Sequence, residues 1–316
     1  YKQHKKECLR LVKERKKNGK NTKENGTKDG KKEQPKPIQE EEDKEDCPIC
    51  TDALPKLSAQ FVRLACCGKG LHHKCYKDLC TNKSMTLEQK NTCIMCRAKM
   101  VANGSKEEIE RLRNWVKKGK AWAMVELAEK YLDGIGVKQS DKKAVELLEM
   151  AAKRGNATAQ ARLGFFYQGM HGLTQSSKRA IEYYTLAADQ GHPDAQYNLG
   201  TMYAKGDGIE QSDKKANELY EMAAKSGHAT AQYNIGLYYD HGIRGLQQSS
   251  KRAIEFYTLA AEQGHASAQY NLGTMYANGE GIETSFSKAR EWLTKAAAQG
   301  QEDAIKYLKQ LDEHGC

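Results

Sequence analysis

The sequence has no apolar run near the length needed to cross a bilayer, about 18 to 20 residues, and its mean hydropathy is −0.82. It has no charged head, apolar core and small-residue cleavage site in series, which excludes a secretory signal within these residues. The chain starts at Tyr1 rather than Met, so a signal further upstream stays open. Cysteine is absent between Cys96 and Cys316, which excludes a disulfide framework spread along the chain. We expect a reducing compartment, cytoplasmic or nuclear.

Aromatic side chains do not interleave with the lysines at the N-terminus. Residues 1–37 contain 14 Lys or Arg and 5 Asp or Glu, and residues 38–46, IQEEEDKED, contain six acids and one Lys. Like-charged blocks of this kind are typical of solvated tails, so we predict a disordered charged tail over residues 1–46. The alternative is a nuclear-localisation or nucleic-acid contact through KERKKNGK. Without aromatic stacking platforms, nucleic-acid binding is the weaker interpretation.

Eight of the ten cysteines lie between Cys47 and Cys96, in closely spaced pairs beside histidine. With their spacing, the candidate ligands are Cys47-x2-Cys50-x15-Cys66-Cys67-x4-His72-x2-Cys75-x17-Cys93-x2-Cys96. Eight thiolate or imidazole ligands suffice for two tetrahedral zinc ions in closed, structural sites. The segment has few large apolar side chains, so zinc would supply the folding free energy that its core cannot. The alternative is a set of core cysteines without metal.

The order of these ligands resembles a RING finger, in which ligand pairs one and three share one zinc and pairs two and four share the other. The resemblance implies that one zinc is bound by Cys47, Cys50, His72 and Cys75, and the other by Cys66, Cys67, Cys93 and Cys96. His72 is preferred over His73 because two residues separate it from Cys75. Cys80 is left as an ordinary thiol.

Two further positions resemble those of RING ubiquitin ligases. Ile49, inside the first cysteine pair, matches the apolar residue that contacts a ubiquitin-conjugating enzyme in that family. Arg97, directly after the last ligand, matches the basic residue that contacts ubiquitin. The resemblance implies a ubiquitin-protein ligase whose partners are a conjugating enzyme and ubiquitin. Such a ligase acts by positioning the reactants, without a catalytic nucleophile of its own.

One departure from the RING pattern concerns the third and fourth ligands. The family usually places one residue between them, whereas Cys66 and Cys67 are adjacent. In the common register a histidine would stand at Lys69, which cannot bind zinc while protonated. Gly68 and Gly70 give the backbone freedom for an adapted site. The departure leaves open a degenerate RING that binds a conjugating enzyme without activating it.

The ligand order also fits a PHD finger, a family that binds histone tails. That family carries an aromatic residue, usually tryptophan, two residues before the seventh ligand, and here the position is Asn91. The RING interpretation is therefore preferred. The remaining alternative is a non-enzymatic adaptor whose zinc finger only binds protein.

Residues 105–316 repeat at a period of 36 to 37 residues. LGFFYQG at Leu163 recurs as LGTMYAKG at Leu199, IGLYYDHG at Ile235 and LGTMYANG at Leu272, with a degenerate copy, LAEKYLDG, at Leu127. A second signature, Ala-Ala-x-x-Gly, follows each copy. Each unit predicts two helices, the second starting near Ser212 or its equivalents and ending at glycine.

Two details refine this prediction. Ser105 and Glu108 have the spacing of a capping box, which predicts a lone helix from about Lys106 that caps the array. A glycine inside the first helix of each unit costs about 1 kcal/mol relative to alanine. We therefore predict that a neighbouring helix packs against the bare backbone at Gly164, Gly200, Gly236 and Gly273.

These motifs resemble the Sel-1-like repeat, a relative of the tetratricopeptide repeat, over about residues 106–311. The resemblance implies a scaffold that holds other proteins in assemblies. We predict a mainly α fold: a right-handed α-solenoid of helix pairs over 105–316, preceded by a two-zinc RING-like domain over 47–100 and the tail. The solenoid would recruit a substrate or a scaffold partner.

Two sets of repeated side chains have competing interpretations. The histidines His192, His228 and His265 lie one per repeat, which favours turn residues over a shared metal site. The repeated tyrosines are interpreted mainly as core, with a peptide groove as the alternative; they include Tyr197, Tyr203, Tyr233, Tyr238 and Tyr270. The repeats show no nucleophile–base constellation. Their positive and negative charges nearly balance, which disfavours nucleic acid as a partner.

Overall fold

The described part of the chain is almost entirely helical. The computed structural model describes residues 61–63, 70–72, 102–169, 171 and 173–313. The helices in this part are α1 (Lys106–Lys117), α2 (Ala121–Asp133), α3 (Asp141–Lys153), α4 (Ala157–Phe166), α5 (Ser177–Asp189), α6 (Pro193–Lys205), α7 (Asp213–Lys225), α8 (Ala229–His241), α9 (Ser250–Glu262), α10 (Ala266–Asn278), α11 (Phe286–Ala297) and α12 (Glu302–Glu313). We name pair 1 (α2 and α3), pair 2 (α4 and α5), pair 3 (α6 and α7), pair 4 (α8 and α9) and pair 5 (α10 and α11).

A serine starts the second helix of every pair, as predicted. Each of these serines has an extended backbone, and its Oγ accepts a hydrogen bond from the N–H three residues later; they are Ser140, Ser176, Ser212, Ser249 and Ser285. This bond satisfies one of the N–H groups that a helix start leaves without an intrahelical partner. Serine at this position therefore fixes the point at which each Gly-rich turn ends.

Glycine ends most of the first helices. Gly134, Gly206, Gly242 and Gly279 have φ values of 62° to 72°, and the N–H of each bonds to a carbonyl in the last turn of its helix. Glycine adopts this left-handed conformation without steric cost, which makes it the usual residue after a helix. The recurring Tyr-x-x-Gly of the sequence is thus the end of the first helix and the start of the turn.

The glycines inside the first helices lie against bulky side chains of the second helices. A Cβ added at Gly164 would lie 2.6 Å from Cδ1 of Tyr184, and one added at Gly236 would lie 2.8 Å from Cδ1 of Tyr257. At Gly200 the same distance to Tyr220 is 3.1 Å. The predicted close packing at these positions is confirmed. In pair 1 the equivalent position is Ala128, and the residue equivalent to the tyrosine is Leu148.

Each helix packs against the helix before it and the helix after it in the chain. The core consists largely of alanines from the repeated Ala-Ala motif together with leucine, methionine and tyrosine from both helices of each pair. Small side chains allow the helices to approach closely while the rings fill the remaining space. The predicted α-solenoid of helix pairs is confirmed, and its right-handed sense stays a prediction.

Helix α1 caps the array through a buried ion pair. Ser105 Oγ accepts from the Glu108 N–H at 3.2 Å, so the predicted N-cap is confirmed. Glu108 Oε2 accepts from the Gly104 N–H at 2.6 Å and lies 3.2 Å from Nζ of Lys130, and Lys130 also bonds Asn103. Both charged residues are 9% exposed. Buried charges are tolerated when paired and hydrogen-bonded, as here.

A two-stranded antiparallel hairpin lies within the cysteine-rich segment. β1 (Phe61–Arg63) pairs with β2 (Gly70–His72), with Phe61 opposite His72 and Arg63 opposite Gly70. The predicted tail and Cys47, Ile49, Cys50, Cys66, Cys67, Cys75, Cys93, Cys96 and Arg97 lie outside the described residues. Of the predicted ligands, only the backbone of His72 is described. The zinc sites and the boundaries of the domain over 47–100 stay predictions.

Candidate protein-binding surface

Buried glutamines join each pair to the pair before it. The second residue of the repeated Ala-Gln motif is almost fully buried in pairs 2 to 5 (Gln160, Gln196, Gln232 and Gln269). Each Nε2 donates to a carbonyl at the C-terminal end of the preceding second helix, over 2.9 to 3.3 Å. Each of these carbonyls also accepts from the N–H of the glycine three residues later, over 2.8 to 3.0 Å, so the glutamine supplies a second hydrogen bond at the helix end. The glutamines thus join each first helix to the end of the second helix before it.

The acceptor oxygens of these glutamines have partners in three of the four pairs. Gln190, Gln263 and Gln299 each donate Nε2 to the Oε1 of the buried glutamine about 30 residues earlier, over 2.6 to 2.8 Å. In pair 3 the donor position is Ser226, whose side chain is too short, and Oε1 of Gln196 has no hydrogen-bond partner. The glutamine ladder is therefore complete in pairs 2, 4 and 5 and incomplete in pair 3.

All three repeated histidines stand at helix N-cap positions, and the side chains of two of them, His228 and His265, make the cap hydrogen bond, whereas that of His192 does not. Nδ1 of His228 accepts from the Ala231 N–H at 3.0 Å, and Nδ1 of His265 accepts from the Ala268 N–H at 3.3 Å. The His228 ring stacks on Tyr197 of the preceding pair with centroids 4.6 Å apart. Burial lowers the pKa of both His228 and His265, which favours the neutral ring that the cap hydrogen bond requires. The prediction that they are turn residues is refined to capping.

The turns between the two helices of a pair alternate in type. In pairs 2 and 4, a residue with positive φ reaches back to an aspartate at the start of an earlier second helix. His171 (φ 53°) lies 3.5 Å from Asp141, and Arg244 (φ 54°) bonds Asp213 at 2.7 Å. In pair 3 the turn packs differently, with Ser177 Oγ donating to Asp207 at 2.8 Å. The turn types thus repeat every two pairs, as do the nearly identical segments SSKRAIEYYTLAADQGH from Ser176 and SSKRAIEFYTLAAEQGH from Ser249.

The first helices present a row of partly or fully exposed side chains along the array. Two positions three residues apart, hence on one helix face, are partly or fully exposed in pairs 2 to 5; we call these eight residues the open row: Arg162, Phe165, Asn198, Thr201, Asn234, Leu237, Asn271 and Thr274. The first of the two positions carries an amide or a guanidinium in each of pairs 2 to 5. The other alternates between apolar in pairs 2 and 4 and threonine in pairs 3 and 5. The open row is the candidate protein-binding surface.

The repeated tyrosines mainly pack against the core. Tyr197, Tyr203, Tyr233, Tyr238 and Tyr270 are partly buried and lie against the apolar clusters, which agrees with the main interpretation. The second-helix tyrosines are more deeply buried: Tyr184 and Tyr257 are 0% exposed, and burial raises the pKa of Tyr220 to about 12. Core packing is therefore the main role of the repeated tyrosines.

Comparison with known proteins agrees with this repeat architecture. The Sel1 repeat matches five times, at residues 123–156, 157–192, 193–228, 229–265 and 266–301, which together make up more than half of the 316 residues. The chain belongs to the Sel1 repeat family. Its repeat boundaries coincide with pairs 1 to 5 to within a few residues. No curated protein matches the chain.

Solved structures extend the likeness. A Sel1 repeat protein from Oxalobacter formigenes is 34% identical with a TM-score of 0.61, over 65% of this chain and 59% of that one. A second, c5321 of uropathogenic Escherichia coli, is 28% identical with a TM-score of 0.59, over 77% of this chain and 48% of that one. The latter is described as a protective antigen displaying an SLR fold. This chain thus spans about half to three fifths of the length of these two proteins.

The described residues of the Sel1 array contain neither a metal site nor a membrane span. Within residues 102–169, 171 and 173–313 and the two strands, no three His, Cys, Asp or Glu side chains come together as metal ligands would. No helix in this part is long and apolar enough to cross a bilayer. The zinc ligands predicted from the sequence lie elsewhere in the chain.

Sequence reasoning missed the buried glutamines. The signal was available, because Ala-Gln recurs in register at Gln160, Gln196, Gln232 and Gln269. A polar residue repeating beside a repeating alanine predicts a buried hydrogen bond as readily as an exposed side chain. What the sequence does not reveal is that the donors at Gln190, Gln263 and Gln299 point to these same side chains.

Proposed function

We propose that the Sel1 array is a protein-binding scaffold whose open row contacts a partner polypeptide. The open row itself is the observation that carries this proposal. Stacked repeats present equivalent side chains at a constant spacing. Side-chain amides such as Asn198, Asn234 and Asn271 donate and accept hydrogen bonds, which suits the N–H and C=O groups of a polypeptide backbone. Phe165, 39% exposed, and Leu237 would bury apolar side chains of the partner.

A peptide-display selection against the full chain tests this proposal. Selected peptides should bind, and the combined Asn198→Ala, Asn234→Ala and Asn271→Ala variant should weaken their binding about tenfold or more. The matched control carries Thr185→Ala, Thr258→Ala and Thr294→Ala, at partly or fully exposed positions of the second helices. Equal affinity of the asparagine variant and the control, with unchanged helical circular dichroism, would contradict a role for the open row.

We further propose that residues 47–100 form a RING-type ubiquitin-protein ligase that binds two structural zinc ions. The spacing of the eight candidate ligands and the matches at Ile49 and Arg97 support this proposal. The antiparallel pairing of residues 61–63 with 70–72 is also consistent with it, because Cys66 and Cys67 fall in the short connection and His72 ends β2. The segment would position a charged conjugating enzyme while the Sel1 array recruits the substrate.

Metal analysis and a ubiquitin-discharge assay test the ligase. The purified chain should contain two zinc ions and should accelerate discharge from a charged conjugating enzyme. Ile49→Ala should reduce that acceleration, whereas Cys80→Ser should leave it intact because Cys80 is not a proposed ligand or nucleophile. Failure to accelerate discharge from any of a broad panel of conjugating enzymes would exclude ligase activity.

The alternative is a non-enzymatic adaptor, with the zinc finger used only for protein contact. The adjacent Cys66 and Cys67 favour it, because they depart from the usual ligand spacing. A degenerate RING would bind a conjugating enzyme in a pull-down with purified components and would not accelerate discharge. An adaptor of another kind would bind zinc and no conjugating enzyme. The two assays together separate these outcomes.

A further inference from the structure

Basic side chains line one end of the second helices. The second and third helical positions are exposed in α3, α5, α7, α9 and α11 and carry nine basic residues, which we call the basic edge: Lys142, Lys143, Lys178, Arg179, Lys214, Lys215, Lys251, Arg252 and Lys288. Equivalent positions of stacked repeats form a row along the array. The basic edge therefore runs along one side of all five pairs.

These charges have few acidic partners within the described part of the chain. Of the nine, only Arg252 has a carboxylate within 4.0 Å, that of Glu221 at 3.7 Å. The nearest acids in sequence, Asp141 and Asp213 at the first position of two of these helices, lie against His171 and Arg244 instead. The basic edge thus keeps most of its positive charge available for another molecule.

Tyrosine rings of the first helices hold one basic residue of each pair in place. Lys143, Arg179, Lys215, Arg252 and Lys288 lie over Tyr131, Tyr167, Tyr203, Tyr239 and Tyr276, at 4.2 to 5.2 Å from the ring centroids. Cation–π contacts orient these side chains, which lowers the entropy lost when a ligand binds. The same contacts cover the ring faces, so the rings are not open platforms on which nucleic-acid bases could stack.

An acidic row borders the basic edge one helical turn further on. Exposed glutamates recur there in every pair: Glu146, Glu182, Glu218, Glu255 and Glu291. They repel an anionic partner from the middle of the helices and confine it to the helix starts, where the helix dipoles add to the positive potential. A narrow, extended anionic chain fits this pattern better than a broad one.

We propose that the basic edge is a docking surface for an acidic segment of a partner protein. Its side chains lie on the second helices, so it is a site separate from the open row, and it adds a partner chemistry to the scaffold function proposed above. Carboxylates of an extended segment would pair with the basic residues of successive pairs. Because both sides are exposed, the contact should depend strongly on salt.

The test uses the full chain and a fluorescent oligoglutamate peptide at low salt. The combined Lys178→Gln, Lys214→Gln and Lys251→Gln variant removes three charges that do not lie over tyrosine rings. It should bind the peptide about tenfold more weakly than the unchanged chain. The matched control, Lys117→Gln, Lys120→Gln and Lys153→Gln, removes the same charge from three exposed positions that lie outside the basic edge, at or next to helix ends. It should retain affinity to within about twofold.

Three results would overturn the proposal. An equal loss of peptide affinity in the two triple variants would mean that the peptide is attracted by the positive charge of the chain in general and not by the basic edge. Tighter binding of a single-stranded oligonucleotide of equal charge, with the same sensitivity to the Lys178, Lys214 and Lys251 changes, would assign the edge to nucleic acid. A rise of about tenfold in peptide affinity after neutralising the acids of residues 40–46 would show that the chain itself fills the edge. The asparagine variant of the open row should not change the affinity for the oligoglutamate peptide, so failure of one proposal can be told apart from failure of the other.

Discussion

Pairs 3 and 4 have the same architecture and differ in how completely they satisfy their buried polar atoms. Three buried side-chain atoms among the described residues have no hydrogen-bond partner, and all three belong to pair 3 or its N-cap: His192 Nδ1, Gln196 Oε1 and Asn217 Oδ1. At the equivalent positions of pair 4, His228 caps its helix, Gln232 accepts from Gln263, and Ile254 has no polar side-chain atom. The two pairs are otherwise built from the same motifs.

The difference between pairs 3 and 4 shows that one side chain, distant in sequence, can decide whether a buried acceptor has a hydrogen-bond donor. Ser226 in place of a glutamine leaves Gln196 without a donor, although Gln196 itself is unchanged. An unsatisfied buried acceptor costs about 1 to 3 kcal/mol. In a solenoid, stability is approximately a sum over repeats and their interfaces, so the weakest pair opens first. We therefore expect pair 3 to open before pair 4, which amide hydrogen exchange would detect as weaker protection.

The largest expected effect comes from filling the space at the helix contact of pair 4. Gly236→Ala places a Cβ 2.8 Å from the buried Tyr257 ring, and we expect a loss of about 2 to 3 kcal/mol of unfolding free energy. Gly200→Ala in pair 3 has 3.1 Å to Tyr220 and should cost less. Urea unfolding followed by circular dichroism measures both. A larger cost at Gly200 than at Gly236 would contradict this account of the packing.

Removing the buried glutamine should also affect the two pairs unequally. Gln232→Met removes two hydrogen bonds, the one to the Ala224 carbonyl and the one from the Gln263 amide, and should cost about 1 to 2 kcal/mol. Gln196→Met removes one bond, to the Ala188 carbonyl, and also removes an oxygen that had no partner. Its cost should therefore be smaller. Equal costs in parallel urea titrations would mean that the Gln263 contact contributes nothing.

Completing the ladder in pair 3 should stabilise it. Ser226→Gln places an amide where Gln190, Gln263 and Gln299 stand in the other pairs and should add about 1 kcal/mol by giving Gln196 Oε1 a donor. Ser226→Met is the matched control, because it adds similar bulk without a donor. Hydrogen exchange of pair 3 amides should slow in the glutamine variant and not in the methionine variant.

The smallest effect concerns the histidine caps. Burial lowers the folded-state pKa of His228 and His265, so the unfolded chain binds more protons, and stability falls as pH drops below the unfolded pKa of about 6.5. A protonated Nδ1 also can no longer accept from the helix N–H. Replacing both residues by asparagine, which already caps α4 at position 156, should weaken the loss of stability between about pH 7.5 and about pH 5.5. An unchanged pH dependence would show that other groups cause it.

The helices were the most predictable part of the fold. Ser212 and its equivalents, the capping helix from Lys106 and the packing at Gly236 all follow from the sequence pattern, because caps and helix contacts recur at fixed positions within each repeat. The zinc ligands were predicted in the same way from spacing, and they stay predictions together with the ligase activity. The buried glutamines and the basic edge were not predicted, since single positions reveal neither burial nor pairing.

The sequence by itself determined where each helix begins and ends and which pairs repeat, because these features depend on residues within about four positions of one another. Only the tertiary structure decided which polar groups are satisfied and which charges stay unpaired. Gln263 donates to Gln232, which lies 31 residues earlier in the sequence. Ser226 lies 30 residues after Gln196, and its side chain is too short to reach that glutamine. Such contacts depend on how neighbouring pairs stack, and that is fixed by packing rather than by any local motif.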